Sequence, residues 1–212
     1  MSVTSTPTRA RGALGLHFRQ TNILRAAAVV FAKKGVNGAT VEDLLQEAGV
    51  ARRTFYRLFR SKEEVLVALF DVSCNILLEA IRKAVIHAKE PFEKLERAVD
   101  VYLGFHRETS DLLRVLEAEA LRPGSMLAAR RLEMLDAGSR ELAGYWTTPE
   151  GKSVDPLLMH GVLVALEGVS HRMHAEGTPS EERLQQARRA MLRIVTASLA
   201  RPGDPVAPLP LA

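Results

Sequence analysis

The chain has 212 residues, enough to bury a substantial core in one or two domains, and its single cysteine, Cys74, excludes an intrachain disulfide or a cysteine-rich zinc site. No apolar run approaches the ~20 residues a membrane helix needs, and the arginine-bearing N-terminus lacks the apolar stretch of a signal peptide, so a cytoplasmic protein is expected. The net charge of +4 conceals a polarised molecule: residues 1–62 hold 11 Lys/Arg against 3 Asp/Glu (+8), which leaves 18 against 22 (−4) for the rest.

A basic end attracts phosphate by releasing condensed counterions, so a nucleic-acid function is expected at the N-terminal end. Hydrophobic content of 47%, frequent Ala, Leu and Arg, and no sustained period-2 alternation between hairpin turns predict an all-α protein.

Residues 1–18 are rich in Ser, Thr, Pro, Arg and Gly and are expected to form a disordered basic arm. Arg9 and Arg11 would track phosphates or enter a minor groove there, or simply keep the arm soluble. A helix is predicted over about 19–34, with Ile23, Ala26, Ala27, Val30 and Phe31 as its buried stripe and Gly35 as its stop. Lys33 and Lys34 suit the negative end of that helix dipole.

Residues 40–62, TVEDLLQEAGVARRTFYRLFRSK, carry the most information. Thr40 and Asp43 make a capping-box-like start to a short helix with Leu44, Leu45 and Ala48 on its apolar face. Gly49 suits a turn at positive φ. Beyond it, Val50, Phe55 and Phe59 point to one side of a second helix, and Arg52, Arg53, Thr54, Tyr56 and Arg57 fill the other. An aromatic-anchored inner face with a basic, hydroxyl-bearing outer face is what a major-groove reader needs. The pattern is a helix-turn-helix over 19–65; its bland rival is a helical hairpin with a solvated basic face. Arg52, Arg53 and Arg57 are the candidate base readers, for guanine O6/N7 in particular, and Thr40, Thr54, Tyr56 and Lys62 the candidate phosphate contacts.

A long helix follows from Ser61, with Ser61 and Glu64 as its capping box and Leu66, Leu69, Phe70, Leu77, Leu78 and Ile81 along it. Further helices are predicted over about 92–107, 110–121, 125–145, 155–175 and 180–200, with a loop over 146–154 and Ser180 as an N-cap. Residues 66–200 form the helical body, and 201–212 a disordered Pro-rich tail with no packed role.

The segment 20–70, about a quarter of the chain, resembles the DNA-binding region of the TetR family of bacterial transcriptional regulators. The resemblance rests on Thr40-Val41, Ala48-Gly49-Val50, Thr54-Phe55-Tyr56, Phe59 and Ser61-Lys62-Glu63. Arg53 stands where family members often have Gly, and Leu58 where they often have His or Tyr; the first adds a candidate base-reading side chain, the second removes a phosphate contact. The family implies a homodimer on a palindromic DNA operator, a four-helix bundle from the two C-terminal helices of each subunit, and a small-molecule effector among the middle helices. For the interface the residues are Leu157, Gly161, Ala165, Gly168 and Arg172 on one helix and Leu184, Met191 and Ile194 on the next; Gly161, Ala165 and Gly168 permit close approach. For the pocket they are Phe70, Cys74, Phe92, Tyr102, Phe105, His106, Met126, Met134, Tyr145, Trp146 and Met159, although such residues on amphipathic helices ordinarily pack the core. Tyr102 and His106, four apart, would offer hydrogen bonds to one ligand, and the scarcity of inward charge favours a largely apolar effector.

No metal or cofactor is expected. His171 and His174 are three apart with His160 about three turns earlier, but a metal site needs a third ligand converging from elsewhere, and Glu167 is the only close helical neighbour. No nucleophile elbow, phosphate-binding Gly-rich loop or paired-carboxylate motif marks an enzyme. The reading is a homodimeric, ligand-responsive repressor without a membrane partner. Its rivals are a regulator of the same fold controlled by a protein partner or acting as an activator, and a non-specific basic helical module.

Overall fold

The computed structural model describes residues 7–146, 153–175, 177–199, 203 and 206–208. The helices among them are α1 (Pro7–Gly38), α2 (Val41–Ala48), α3 (Arg52–Leu58), α4 (Lys62–Ile86), α5 (Pro91–Glu108), α6 (Ser110–Leu121), α7 (Met126–Ala143), α8 (Pro156–His174) and α9 (Glu181–Leu199). The protein is all-α. It divides into two compact units, 1–71 and 72–212, with the division inside α4 rather than at residue 65.

One expectation changes at once. Residues 7–18 are the first part of α1, not an unstructured arm. Pro7 occupies the first helical position, where its missing N–H costs nothing, and Ala10, Arg11, Ala13, Leu14 and Leu16 are strong helix formers that outweigh the two glycines. The roles expected of the Arg9 and Arg11 side chains lie outside the described residues, as do residues 1–6.

In the first unit the stripe predicted for α1 is the core: Ile23, Ala26, Ala27, Val30 and Phe31 are buried together with Leu44, Leu45, Phe55, Phe59, Val65, Leu66 and Leu69. Gly35 interrupts α1 at φ 67°, ψ 171°, and one further helical turn follows before α2. The capping box of α2 is complete: Thr40 Oγ1 accepts from the Asp43 N–H, and Asp43 Oδ2 accepts from the Thr40 N–H at 2.9 Å. Gly49 closes α2 at φ 62°, ψ 35°, a left-handed conformation costing a side-chain-bearing residue about 1–2 kcal/mol. At the start of α4 the Glu64 N–H donates to Ser61 Oγ, but the Glu64 carboxylate turns to the Arg60 N–H instead of Ser61's own.

In the second unit α7 and α9 pack on α8, α9 also on α5, and α6 on α7 and α8. Ile81, Val85, Leu95, Val99, Leu103, Leu142, Met159, Val162, Leu166, Leu184, Met191 and Val195 are among its core. The expected loop at 146–154 begins with a buried Trp146, whose carbonyl accepts from the Val154 N–H at 3.0 Å; residues 147–152 lie outside the described residues. The tail corrects a second expectation. Ala207 is buried, its N–H donates to Thr196 Oγ1 at 3.0 Å, and its carbonyl accepts from Arg193 at 2.9 Å. A segment around 207 therefore packs on α9, where the Thr196 hydroxyl and the Arg193 guanidinium satisfy backbone groups that would otherwise be buried unpaired.

Candidate nucleic-acid interface and interior cavity

Helix α3 is held by one residue. Phe55 is fully buried, edge-on to Tyr56 at 5.3 Å and tilted against Phe59 at 6.0 Å. With that ring inward, Arg52, Arg53, Tyr56 and Arg57 are exposed and Thr54 is half-buried. Tyr56 exposes 48% of its surface, high for an aromatic with no other apolar task.

The three arginines differ. Arg52 is ion-paired with Glu42 of α2, both side chains in solvent. Arg53 and Arg57 have no ion-pair partner among the described residues and present their guanidinium groups directly to solvent. The Thr40 hydroxyl donates to Asp43 Oδ2 at 2.8 Å, and Asp43 is also paired with Lys34 at 2.7 Å. The Lys34 ammonium and the Thr40 N–H hold the Asp43 carboxyl down to about 2, so a carboxylate sits beside the Thr40 hydroxyl at any physiological pH. That neighbour makes Thr40 a cap first and a poor phosphate ligand.

Lys62 requires a correction. Its ammonium donates to the carbonyls of Val36 and Ala39, at 2.8 and 2.7 Å, and is half-buried. Those carbonyls lie at the end of α1, where helical partners run out, so Lys62 ties the start of α4 to the end of α1. It is not displayed for phosphate. Arg60, exposed just past α3, is the basic side chain that the sequence reading passed over; its signal was a fourth cation after Phe59.

In the second unit an apolar cavity of about 60 Å³ lies among α4, α5, α7, α8 and α9. Of the expected pocket residues, Tyr102, Trp146 and Met159 line it. The others do not. Met126 exposes 59% of its surface at the start of α7, and Phe70 belongs to the first unit. Cys74, Phe92, Phe105 and Met134 are half-buried elsewhere, and Tyr145 accepts a hydrogen bond from Arg82, which is also paired with Glu141. The indole N–H of Trp146 is buried without an acceptor among the described residues.

His106 joins a buried polar cluster instead. Its Nδ1 lies 3.2 Å from His174 Nε2, 2.8 Å from Ser170 Oγ and 3.5 Å from Glu117 Oε1, and Ser170 Oγ donates to Glu117 Oε1 at 2.9 Å. Burial, with His174 alongside, pushes His106 down to about 3; burial pushes Glu117 up to about 7, and His174 is also lowered by burial. Glu117 Oε2 and His174 Nδ1 have no partner among the described residues. No motif at sequence level marks this cluster, because its members come from three helices.

The histidine pair read from the sequence separates: His171 is exposed and His174 buried, while His160 faces Asp136 at 3.1 Å and Glu167 is paired with Arg131. Among the described residues no three His, Cys, Asp or Glu are grouped to hold a metal ion.

For the expected interface, α8 and α9 behave differently. Leu157 is 77% exposed, Gly161, Gly168 and Arg172 are exposed and Ala165 is half-buried, so that face of α8 is unpacked within the subunit. Leu184 and Met191 are core residues and Ile194 packs against the same core, so they are corrected to intrachain packing. The apolar period of α9 was read correctly; the partner it faces is α5 and α8 of its own chain. The groove between α8 and α9 is lined instead by Ala165, Gly168, Val169, Arg183, Gln186 and Ala190.

Residues 23–69 match the family described as bacterial regulatory proteins, tetR family. Among the relatives are the HTH-type transcriptional activator FasR of Mycolicibacterium smegmatis, 26% identical over 46% of this chain and 45% of its own length, and the HTH-type transcriptional repressor NicS of Pseudomonas putida, 28% identical over 58% and 57%. The chain thus spans about half the length of these curated relatives. The structure of the fatty acid degradation regulator FadR from Bacillus halodurans shares the fold, with a TM-score of 0.69 over 82% of this chain and 94% of that one at 22% identity. These relatives are regulators of transcription and not enzymes.

Proposed function

We propose that this chain, which belongs to the tetR family of bacterial regulatory proteins through its residues 23–69, is a homodimeric repressor released from a palindromic operator by a small, largely apolar effector. The observation that carries the DNA-reading role is the pairing of a fully buried Phe55 with unpaired, exposed Arg53 and Arg57 on α3. Guanidinium groups without protein partners pay no exchange penalty on meeting guanine O6/N7. Arg52 must first give up Glu42, which makes it a switchable reader. Thr54, Tyr56 and Arg60 are positioned for phosphates.

Dimerisation through the unpacked face of α8 supplies the two-fold axis that a palindrome requires. The two α3 helices must then sit about 34–36 Å apart to enter successive major grooves. Helix α4 is continuous from Lys62 to Ile86 and so belongs to both units. An effector that spreads the cavity beside Ile81 shifts α4 and with it the spacing, in proportion to its difference in affinity for the two spacings. Selection of bound duplexes from a random pool at near-physiological salt tests this reading. A palindrome with half-sites about one turn apart is expected; binding that merely fades with salt, with no enriched sequence, would identify a non-specific basic module. A reporter on the selected promoter gives the sign, since loss of the protein raises expression under a repressor and lowers it under an activator.

A further inference from the structure

Helices α5 and α8 face each other across the apolar cavity and, further along, touch through a polar cluster. On α5 the inward residues run Leu95, Val99, Tyr102, His106; on α8 they run Met159, Val162, Leu166, Ser170, His174. Both runs step by three or four residues and so occupy one face of their helix. The first level of each lines the apolar cavity, and the last level of each is the polar cluster. Tyr102 belongs to both: its side chain lines the cavity, and its ring packs on the His106 ring at a centroid distance of 4.3 Å.

Two buried polar atoms of the cluster, Glu117 Oε2 and His174 Nδ1, have no hydrogen-bond partner among the described residues. Glu117 from α6 brings a carboxylate whose Oε1 is bonded to Ser170 and whose Oε2 has no donor among the described residues. Among the described residues no Lys or Arg is paired with it, and the nearby His106 is held neutral by burial. Arg131 of α7 is bound through two nitrogens to Glu167, and Arg114 of α6 acts on His174. His174 is 2% exposed with an unpartnered Nδ1. A buried polar atom left unpaired is destabilising, more so when charged, and here two of them lie beside the end of an apolar cavity.

We propose that the Tyr102–His106–Glu117–Ser170–His174 cluster binds the protonated amine of an aliphatic ligand whose chain enters the adjoining cavity. An ammonium stabilises the ionised form of Glu117, giving Oε2 a donor and the carboxylate a countercharge in one group. A carboxylate in that position would hold Glu117 in its protonated form and gain no countercharge from it. Binding ionises Glu117, whose proton is retained up to about pH 7 in the free protein, so uptake of the amine near that pH releases a proton. The other groups around it are Tyr102, with Cys74 of α4 beside it, Ser170, the Arg131–Glu167 pair and, around His174, Arg114 and exposed His171.

The inference rests on the effector reading above, and the test separates the two. Hexylamine, 1-hexanol and hexanoate are titrated by calorimetry into the intact protein without DNA, in two buffers of different ionisation enthalpy. The amine should bind about tenfold or more tightly than the alcohol, with hexanoate weakest and a proton released near pH 6.5. Glu117→Gln, nearly isosteric, should erase the preference for amine over alcohol and the proton release while the alcohol still binds. Equal binding of amine and alcohol, a preference for hexanoate, or an amine preference that survives Glu117→Gln would each overturn the proposal. Amine binding that leaves operator affinity unchanged would support this site and remove the effector reading. Operator release by hexanol or hexanoate, with no response to the amine, would do the reverse.

Discussion

On α3, Arg53 and Arg57 differ from Arg52, which is paired with Glu42: both are exposed and have no ion-pair partner among the described residues. Arg53→Ala and Arg57→Ala should each weaken binding to the selected operator by about 1–3 kcal/mol and relax preference at one base position. Competition against singly substituted duplexes checks this, and unchanged preference in both variants would remove α3 as the reader. Lys62 makes the opposite prediction. Its removal in Lys62→Met leaves the Val36 and Ala39 carbonyls without their donor, so thermal stability should fall by an amount worth about 1–3 kcal/mol. The salt dependence of DNA binding should keep its slope, because no phosphate contact is lost. A flattened slope would return Lys62 to the phosphate set. Sequence identifies Lys62 as a cation at a helix start but cannot say that two carbonyls 23 and 26 residues earlier claim it first.

At the scale of elements, most boundaries were legible because their signals are local. The Thr40 cap, the Gly49 turn, the stop at Gly35 and the breaks around α5 to α9 each depend on residues within a turn of the boundary. Two elements departed from expectation for opposite reasons. Helix α1 reaches back to Pro7 because helix propensity there exceeds what the glycines and prolines suggest. The segment around Ala207, proline-rich and without a period, docks through partners on α9 that composition does not encode. The unpacked face of α8 carries its own prediction. A Cβ added at Gly161 or Gly168 meets nothing within 4 Å in the subunit. Gly168→Leu should therefore leave monomer stability equal or slightly higher, since glycine is a poor helix former, yet shift the sedimentation profile from dimer to monomer. A dimer that persists unchanged would place the interface elsewhere.

On the scale of the whole molecule, charge and chemistry are segregated: +8 over residues 1–62 and −4 beyond, with the deepest ionisable cluster in the second unit. That cluster gives stability a pH signature. Glu117 is raised from 4.5 to about 7, so its contribution is fully present below 4.5 and is lost as pH climbs to 7. His106 is lowered from 6.5 to about 3, so its contribution is present above 6.5 and is lost as pH falls toward 3. The two oppose one another between 4.5 and 6.5 and leave little net slope from this pair. Glu117→Gln mimics the protonated acid; relative to the parent protein it should gain stability on going from pH 5 to pH 8. Urea midpoints at both values check this, and an unchanged difference would show that Glu117 titrates normally.

The amino-acid sequence by itself determined the all-α class, nearly every helix, the helix-turn-helix at 40–62 and the basic end that carries it. All of these follow from neighbours within a few positions or from bulk charge. Only the tertiary structure decided that Leu184 and Met191 face inward, that Lys62 serves α1, and that three of the eleven pocket candidates share a cavity. It alone assembled the polar cluster, whose contacts with α8 join residues 53 to 68 positions apart. The amphipathic period of a helix states that one face will be buried; which surface buries it is set by the packing of other helices, and so by contacts that no local pattern records.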